Sequence, residues 1–382
     1  MSMQVFLYKI SDYHEEKISE LIKKILDLSF AAKTLSGKRV FVKPNLLTRK
    51  SPDRAVTTHP FIIKEICSYF RNKGATVLIG DSPGGPNSHA WLKSIYQISG
   101  MSWAAREAGV ELNYDLTAKE IDLNFKGTTK SIQLMKQVVD SDIIINVPKF
   151  KTHGLTVITG GPKNLYGCVP GLIKAQYHLE LAQLESFCEL LVSIADFLKP
   201  ELTILDAILA MEGDGPSGGT PKHMGYLLAS KDCFAIDVVA SNIIGLNPKN
   251  IPILKIAERK KIISLEKDAI EIIGDKDYEI IPFIMPITTK HADFSDKFAK
   301  VIPENLLKGI YGYLKPTVHF SKEKCTTCNI CIKSCPVGAL RMESDVPSVD
   351  KNECIYCYCC QEICPNDAVI LRKSTIFKRL FG

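Results

Sequence analysis

Nine of the thirteen cysteines in this 382-residue chain fall between positions 325 and 364, and eight of those nine form one pattern twice. Residues 325–335 read C-T-T-C-N-I-C-I-K-S-C, followed by Pro336; residues 354–364 read C-I-Y-C-Y-C-C-Q-E-I-C, followed by Pro365. Each is C-x-x-C-x-x-C-x-x-x-C-P, offset by 29 residues, and Ala339 and Ala368 keep the offset past the cysteines. The segment is an internal duplication. Three thiolates at intervals of three residues let one tight loop wrap three corners of an iron–sulfur cube. The fourth, on the short helix that follows, points away and reaches the other cube. The pattern therefore assigns Cys325, Cys328, Cys331 and Cys364 to one cluster, and Cys354, Cys357, Cys360 and Cys335 to a second. Paired zinc sites would need two cysteine pairs, but neither the third cysteine at the same interval nor the Cys-Pro. Cys359 lies outside the template and reads as a small buried side chain rather than a ligand.

With all eight cysteine positions matched, residues 319–373 resemble the bacterial two-cluster ferredoxins, which implies two 4Fe-4S clusters and one-electron transfer at low potential. The other four cysteines, Cys67, Cys168, Cys188 and Cys233, are scattered and suggest no disulfide framework. A reducing, cytoplasmic compartment is the expectation, since the first residues lack a signal-peptide pattern. The most hydrophobic segment, residues 280–287, is short and broken by Pro282 and Pro286, so no membrane span is expected. A net charge of +6, spread along the chain without a basic stripe, argues against nucleic-acid binding. The partners that remain are a redox protein or a small anionic substrate.

The first 300 residues alternate strand-like and helix-like patterns, which predicts an α/β domain with a mostly parallel sheet covered by helices. Strands are expected at 4–9, 39–43, 75–80, 142–147 and 202–205, the last ending at Asp206, with a further strand around 225–229. Helices are expected after the first strand, from Pro60 to about Arg71, at 88–98, at 101–108, as one long helix through Leu181 and Phe197, and from Phe234 to about Ile244. A hairpin-like stretch covers 120–136. Residues 301–318 read as a connector, with a weak helix around 303–313, and 374–382 as a short basic-apolar tail. A small α+β ferredoxin-like domain closes the chain.

Residues at the C-terminal ends of parallel strands converge on one crevice, so chemistry is sought there. The segments VKPNLL (42–47), TTHP (57–60), GDSPGG (80–85), VPKFKTHG (147–154), TGGPKNLYGCVPG (159–171) and DAILAMEGDGPSGG (206–219) resemble, in order, the signature segments of the domain-of-unknown-function family 362. The likeness spans about residues 38–245, and members of that family often carry a ferredoxin module. It implies no particular reaction. The run from Gly160 also resembles, over about a dozen residues, a Gly-Gly-x-Lys loop of nickel-dependent lactate racemases, which lends weight to Lys163.

From the residues themselves, Lys149, Lys151, His153 and Lys163 concentrate positive charge after a buried strand, with Gly160 and Gly161 open to close backbone approach. Such a loop suits a phosphate, a carboxylate or an enolate-like intermediate. Lys163, His153 and Lys43 are the catalytic candidates. Lys149, Lys151, Asn45, Gly160, Gly161, Asn164, Asp81, Asp206 and Asp214 are candidates for holding a substrate or a second, unidentified cofactor. Asp206, Glu212 and Asp214 could together bind a cation. His59 is a helix-start residue or a site residue, and Cys168 reads as buried and inert. The expected activity is electron transfer through the clusters, serving an oxidoreductase or, alternatively, a non-enzymatic carrier that delivers electrons or clusters to a partner. Anaerobic reconstitution is expected to give about eight irons per chain by metal analysis; about four, or zinc instead of iron, would refute the paired-cube assignment.

Overall fold

The computed structural model describes residues 3–86, 88–171, 173–181, 183–266, 268–288 and 315–372. The connector helix expected around 303–313 and the tail at 374–382 lie outside them. The α/β domain begins with β1 (Met3–Lys9), α1 (Glu15–Phe30), β2 (Arg39–Pro44), α2 (Pro60–Asn72), β3 (Thr76–Ile79), α3 (His89–Ile98), α4 (Met101–Ala108) and β4 (Glu111–Leu112). A hairpin of β5 (Ala118–Phe125) and β6 (Thr128–Met135) leads through α5 (Lys136–Val139) to β7 (Ile143–Val147), β8 (Lys149–His153) and β9 (Val157–Thr159). Then come α6 (Gly161–Leu165), α7 (Ile173–Glu180), α8 (Leu184–Leu198), β10 (Leu202–Glu212), β11 (Thr220–Ser230), α9 (Cys233–Ile243), α10 (Pro252–Arg259) and β12 (Ile270–Gly274).

The main sheet runs β12-β1-β11-β10-β7-β2-β3-β4, with β8 attached to β10 and β9 to β8. Along that path only β11 runs antiparallel to its neighbours. The strands are almost continuously apolar because both faces are covered. Val40 and Val42 face one core with Ile18, Ile22, Ile62 and Ile66, whereas Phe41 faces the other with Leu190, Leu191 and Leu205. Period-two alternation in the strands and i, i+4 spacing in the helices produce this two-sided packing. Pro60 opens α2 at the first helical position, and His59 caps it by accepting the Phe61 amide.

Three elements differ from the sequence expectation. The long helix is two helices: α7 ends at Glu180 and α8 starts at Leu184, leaving Leu181 in the turn. The Gly/Lys-rich loop after β7 is the hairpin β8–β9, whose strand β8 is buried at all five positions. The strand expected to end at Asp206 continues to Glu212, with a bulge between Ala207 and Leu209. Asp206 can sit inside a buried strand because its charge is matched there. Lys149 Nζ donates to its Oδ2 at 2.9 Å, and the Tyr13 hydroxyl donates to its Oδ1 at 2.7 Å. Both charged side chains are fully buried.

The C-terminal module consists of β13 (Thr317–Phe320), α11 (Ile330–Lys333), β14 (Leu340–Glu343), β15 (Val346–Val349), α12 (Cys359–Glu362) and β16 (Val369–Arg372). β13 pairs with β16 and β14 with β15, both antiparallel. Its first strand begins at Thr317, two residues ahead of the boundary read from the sequence. The module docks on the α/β domain through α12 and the residues after it. The Ser217 and Thr48 hydroxyls donate to the Gln361 and Ile363 carbonyls at 2.9 and 3.0 Å, and Gln361 Nε2 donates to the Asp214 carbonyl at 2.8 Å. Lys50 and Arg54 both pair with Asp367. Ile330 and Ile363 join the apolar core formed by α1, α2 and the sheet.

Removing one member of a buried pair strands the other charge, a loss on the order of 3–5 kcal/mol. Lys149→Met is expected to destabilise the α/β domain by about that much in denaturant unfolding. The double change Lys149→Met/Asp206→Leu should recover most of it; equal stability of Lys149→Met and the parent chain would refute the pairing.

Candidate functional site between the two domains

A pocket of about 110 Å³ lies where the loops of the α/β domain meet α12. From the α/β side it is lined by Asn45, Asp81, Ser82, Lys151, Thr159, Lys163, Asn164, Tyr166, Lys174 and His178, among others. From the module it is lined by Ser334, Cys359, Glu362 and Ile363.

The β pleat brings Lys149, Lys151 and His153 to one side of β8, since residues two apart share a face. Each then meets a different environment. Lys149 goes to Asp206 and Tyr13, away from the pocket lining. Lys151 donates to Asn45 Oδ1 at 2.9 Å and to the Val56 carbonyl at 2.8 Å, both neutral acceptors. Burial, with Lys163 nearby, pulls its amine down to about 7. His153 Nδ1 accepts the backbone amides of Leu155 and Thr156, so Nε2 carries the proton toward Glu362 Oε1, 3.2 Å away. Burial holds His153 down to about 4. Although burial works against its charge, Glu362 is held down to about 2 by His153, with Lys163 and His178 adding to the effect. The contact is a neutral imidazole facing a carboxylate across the domain boundary.

A chain of amides fixes the floor. Asn45 Nδ2 donates to Asn164 Oδ1, and Asn164 Nδ2 to Asn146 Oδ1, both at 2.9 Å; Asn146 Nδ2 then reaches the Gly161 carbonyl at 2.9 Å. Lys43 and Asp81, both buried, form an ion pair of 2.6 Å in the wall, and Asp81 Oδ2 also accepts the Leu46 amide. Gly167 packs against that pair so closely that a Cβ there would lie 2.5 Å from both Lys43 Nζ and Asp81 Oδ1. On α7, Lys174 donates to the Ser82 carbonyl, and His178 stacks on Phe187 at 4.2 Å between centroids. Burial pulls Lys174 to about 7 and His178 to about 4.

Of the residues singled out from the sequence, Asn45, Asp81, Lys151, Lys163 and Asn164 line the pocket. Lys43 and His153 stand one contact behind it, through Asp81 and Glu362. Lys149 and Asp206 are spent on each other, and Asp214 Oδ1 accepts the Ile287 amide. Glu212 accepts the Ile284 amide and pairs with Lys222, so the three acids do not converge on a cation. Gly160 and Gly161 turn toward α9 rather than the pocket, where a Cβ would collide with Asp237 and the Cys233 carbonyl. Thr159 and Tyr166 line it from within the segment 159–171 singled out in the sequence, whereas Lys174, His178, Ser334 and Glu362 are lining residues that sequence reading passed over. Their only signal was Lys174 and His178 at i, i+4 in a helix expected to be merely structural.

In the module, Cys325, Cys328, Cys331 and Cys364 surround one cavity. Burial and the neighbouring thiols Cys364, Cys328 and Cys325 push Cys331 up to about 11. Burial and then Cys357, Cys331, Cys354 and Cys335 push Cys360 well above the ordinary range. Cys331 has its three expected set-mates beside it, whereas Cys360 has Cys357, Cys354 and Cys335 together with Cys331 of the other set; metal binding replaces the protons of such crowded thiols. The donor sets fit two four-iron cubes. Cys328 is exposed, whereas Cys359 hydrogen-bonds Cys357 and faces the pocket.

Among the described residues no helix is long and apolar enough to cross a membrane. The chain is 36% identical over 224 residues to a thylakoid-associated protein of Synechocystis sp., covering 58% of this chain and 68% of that one. Its C-terminal part is 29% identical to a ferredoxin of Methanothermococcus thermolithotrophicus, covering 15% of this chain and 97% of the ferredoxin. It is also 25% identical to the NAD(P)H-quinone oxidoreductase subunit I of Gloeobacter violaceus, covering 23% of this chain and 42% of the subunit. The lactate racemase apoprotein from Thermoanaerobacterium thermosaccharolyticum superposes with a TM-score of 0.40 at 12% identity, over 63% of this chain and 56% of that one. The 4Fe-4S dicluster domain matches residues 317–365, in line with the donor sets. The domain of unknown function DUF362 matches residues 40–242, more than half of the 382, and the chain belongs to that family, with a C-terminal domain for two 4Fe-4S clusters.

Proposed function

We propose that this protein is an iron–sulfur oxidoreductase whose α/β domain holds a small anionic substrate in the pocket against α12. The observation that carries the reading is the shared wall: four residues of the cluster-binding module line the same cavity as the lysines of the α/β domain. When bound, the clusters supply or accept electrons one at a time. The chain's own residues do the rest. Lys151, Lys163 and Lys174 bind and orient the anion, Lys163 touching its reacting end. Asn45 and Asn164 hold Lys151 in register, Lys43 keeps Asp81 from repelling the ligand, and His153 fixes the Glu362 carboxylate. Tyr166, Pro83 and Ile363 exclude water, which strengthens each of these interactions. Covalent fusion keeps donor and acceptor at high effective concentration.

A redox protein partner is the natural source or sink of electrons, and the exposed Cys328 marks the face where its cluster is most accessible. The carrier reading would use that same face and leave the pocket idle. Re-oxidation of the reduced holoprotein by a panel of small organic acids, followed by visible absorption, separates the two. Lys163→Ala is expected to slow re-oxidation by the active acid on the order of 10²-fold or more, with the cluster spectra unchanged. An unaltered rate in Lys163→Ala would remove the pocket from the reaction and leave the carrier.

A further inference from the structure

We propose that the pocket is built for a small dianion, either a short dicarboxylate or a phosphate. This rests on the anionic-substrate reading above and narrows it.

Charge balance carries the proposal. Lys151, Lys163 and Lys174 all line the cavity. Lys43 is in its wall. The carboxylates nearby are Asp81, taken by Lys43 at 2.6 Å, and Glu362, facing His153 at 3.2 Å. With His153 and His178 neutral and the amines of Lys151 and Lys174 protonated, four ammonium groups face two protein carboxylates, an excess of two before the clusters' own charge is counted. Lys151 and Lys174 have only neutral oxygens as partners, those of Asn45 and Val56 for the first and Ser82 for the second. Buried charges of this kind are costly unless paired. Two negative charges on one ligand would complete the set.

Two orphaned hydroxyls point the same way. Thr159 Oγ1 and Ser334 Oγ are buried without a hydrogen-bond partner, at 4% and 7% residue exposure, and both residues line the cavity. Buried polar atoms are nearly always satisfied, and a ligand in the cavity would offer both hydroxyls acceptor oxygens. They stand on opposite domains, which matches a ligand with oxygens at two ends. A cavity of about 110 Å³ is well below the roughly 300–1,000 Å³ of sites for larger ligands. It suits a small acid.

A titration accompanies binding. Burial holds Lys151 and Lys174 at about 7. Around Lys151, Lys163 and Lys149 lower it further while Glu362 and Asp81 oppose them. Around Lys174, Asp81 and Cys168 raise it while Lys43 and Lys163 lower it. A dianion favours the protonated amines and raises both. The lysine contribution to affinity therefore falls as pH rises through about 7, with proton uptake on binding above it, and succinate, which keeps both charges near that pH, is the ligand that reports it.

Isothermal titration of the oxidised holoprotein tests this, using succinate and inorganic phosphate as dianions and butyrate as the single-charge control. Succinate or phosphate is expected to bind at least about tenfold tighter than butyrate, and whichever binds tighter assigns the carboxylate or the phosphate source. At about pH 8, buffers of different ionisation enthalpy should report uptake of roughly one to two protons per ligand. Lys174→Gln should weaken the dianion by about tenfold or more, and by a larger factor than butyrate, while leaving the cluster spectrum unchanged. Lys163→Gln provides the same comparison should Lys174→Gln fail to fold. Butyrate binding as tightly as the dianions, no proton uptake at about pH 8, or no binding of either dianion would overturn the proposal. Tight dianion binding without re-oxidation of the reduced clusters would uphold the dianion site and count against the oxidoreductase reading.

Discussion

The short helix Cys359–Glu362 is committed to both halves of the molecule, and the contact between Glu362 and His153 is where that commitment is most expensive. A carboxylate on a cluster-binding turn is buried against an imidazole from the sheet. The carboxylate is the costly partner, because an unpaired buried charge favours any opening that lets water in, and the imidazole N–H faces it. The surrounding contacts reinforce the docking: Gln361 is gripped through its carbonyl and its side chain, and Ile363 packs so tightly on Gly84 that a Cβ there would lie 2.5 Å from its Cγ2. The module is thereby seated on the strand ends with its own residues forming part of the pocket.

The buried charges elsewhere sort into scaffold and site by what they touch. Lys149 with Asp206, and Lys43 with Asp81, are matched ion pairs, complete without a ligand. Lys151 is different, as a fully buried amine held only by amide and carbonyl oxygens. Neutral acceptors orient an ammonium group without cancelling its charge, so the field it projects remains available to whatever enters the pocket. Preorganised charge of this kind, aimed into a water-poor space, is how protein sites stabilise anions most effectively.

The sequence was most legible where chemistry demands rigid spacing. A cube needs thiolates at fixed intervals, so the two cysteine runs and the cofactor could be read directly, as could the alternation that makes the covered parallel sheet. The pocket was legible only in part. Lys151, Lys163, Asn45 and Asn164 stood out because polar groups at strand ends converge. Lys149 and Asp206 looked identical in sequence, and only the third dimension shows that they neutralise each other. Gly160 and Gly161 serve packing against α9, a long-range constraint that no local pattern encodes. Glu362 was hidden for a further reason: it lies within the cysteine motif, where every residue between ligands reads as spacer, although it is contributed to a site made by residues some two hundred positions away.

On the proposed reading, cluster ligands and pocket wall share one turn, so filling the pocket and reducing the module would be energetically linked, and the linkage would run equally in both directions. Its sign follows from the charges. Two unmatched ammonium groups beside α12 favour an added electron nearby, as opposite charges attract across a medium that screens less than water. An anion in the pocket cancels that attraction. An electron is then held less firmly in the module at the moment when an acceptor is present, and more firmly when the pocket is empty. In that proposal the lysines that hold the anion also bias electron flow toward it, which would give a physical reason for a cationic pocket to be built against a cluster-binding helix rather than elsewhere along the sheet.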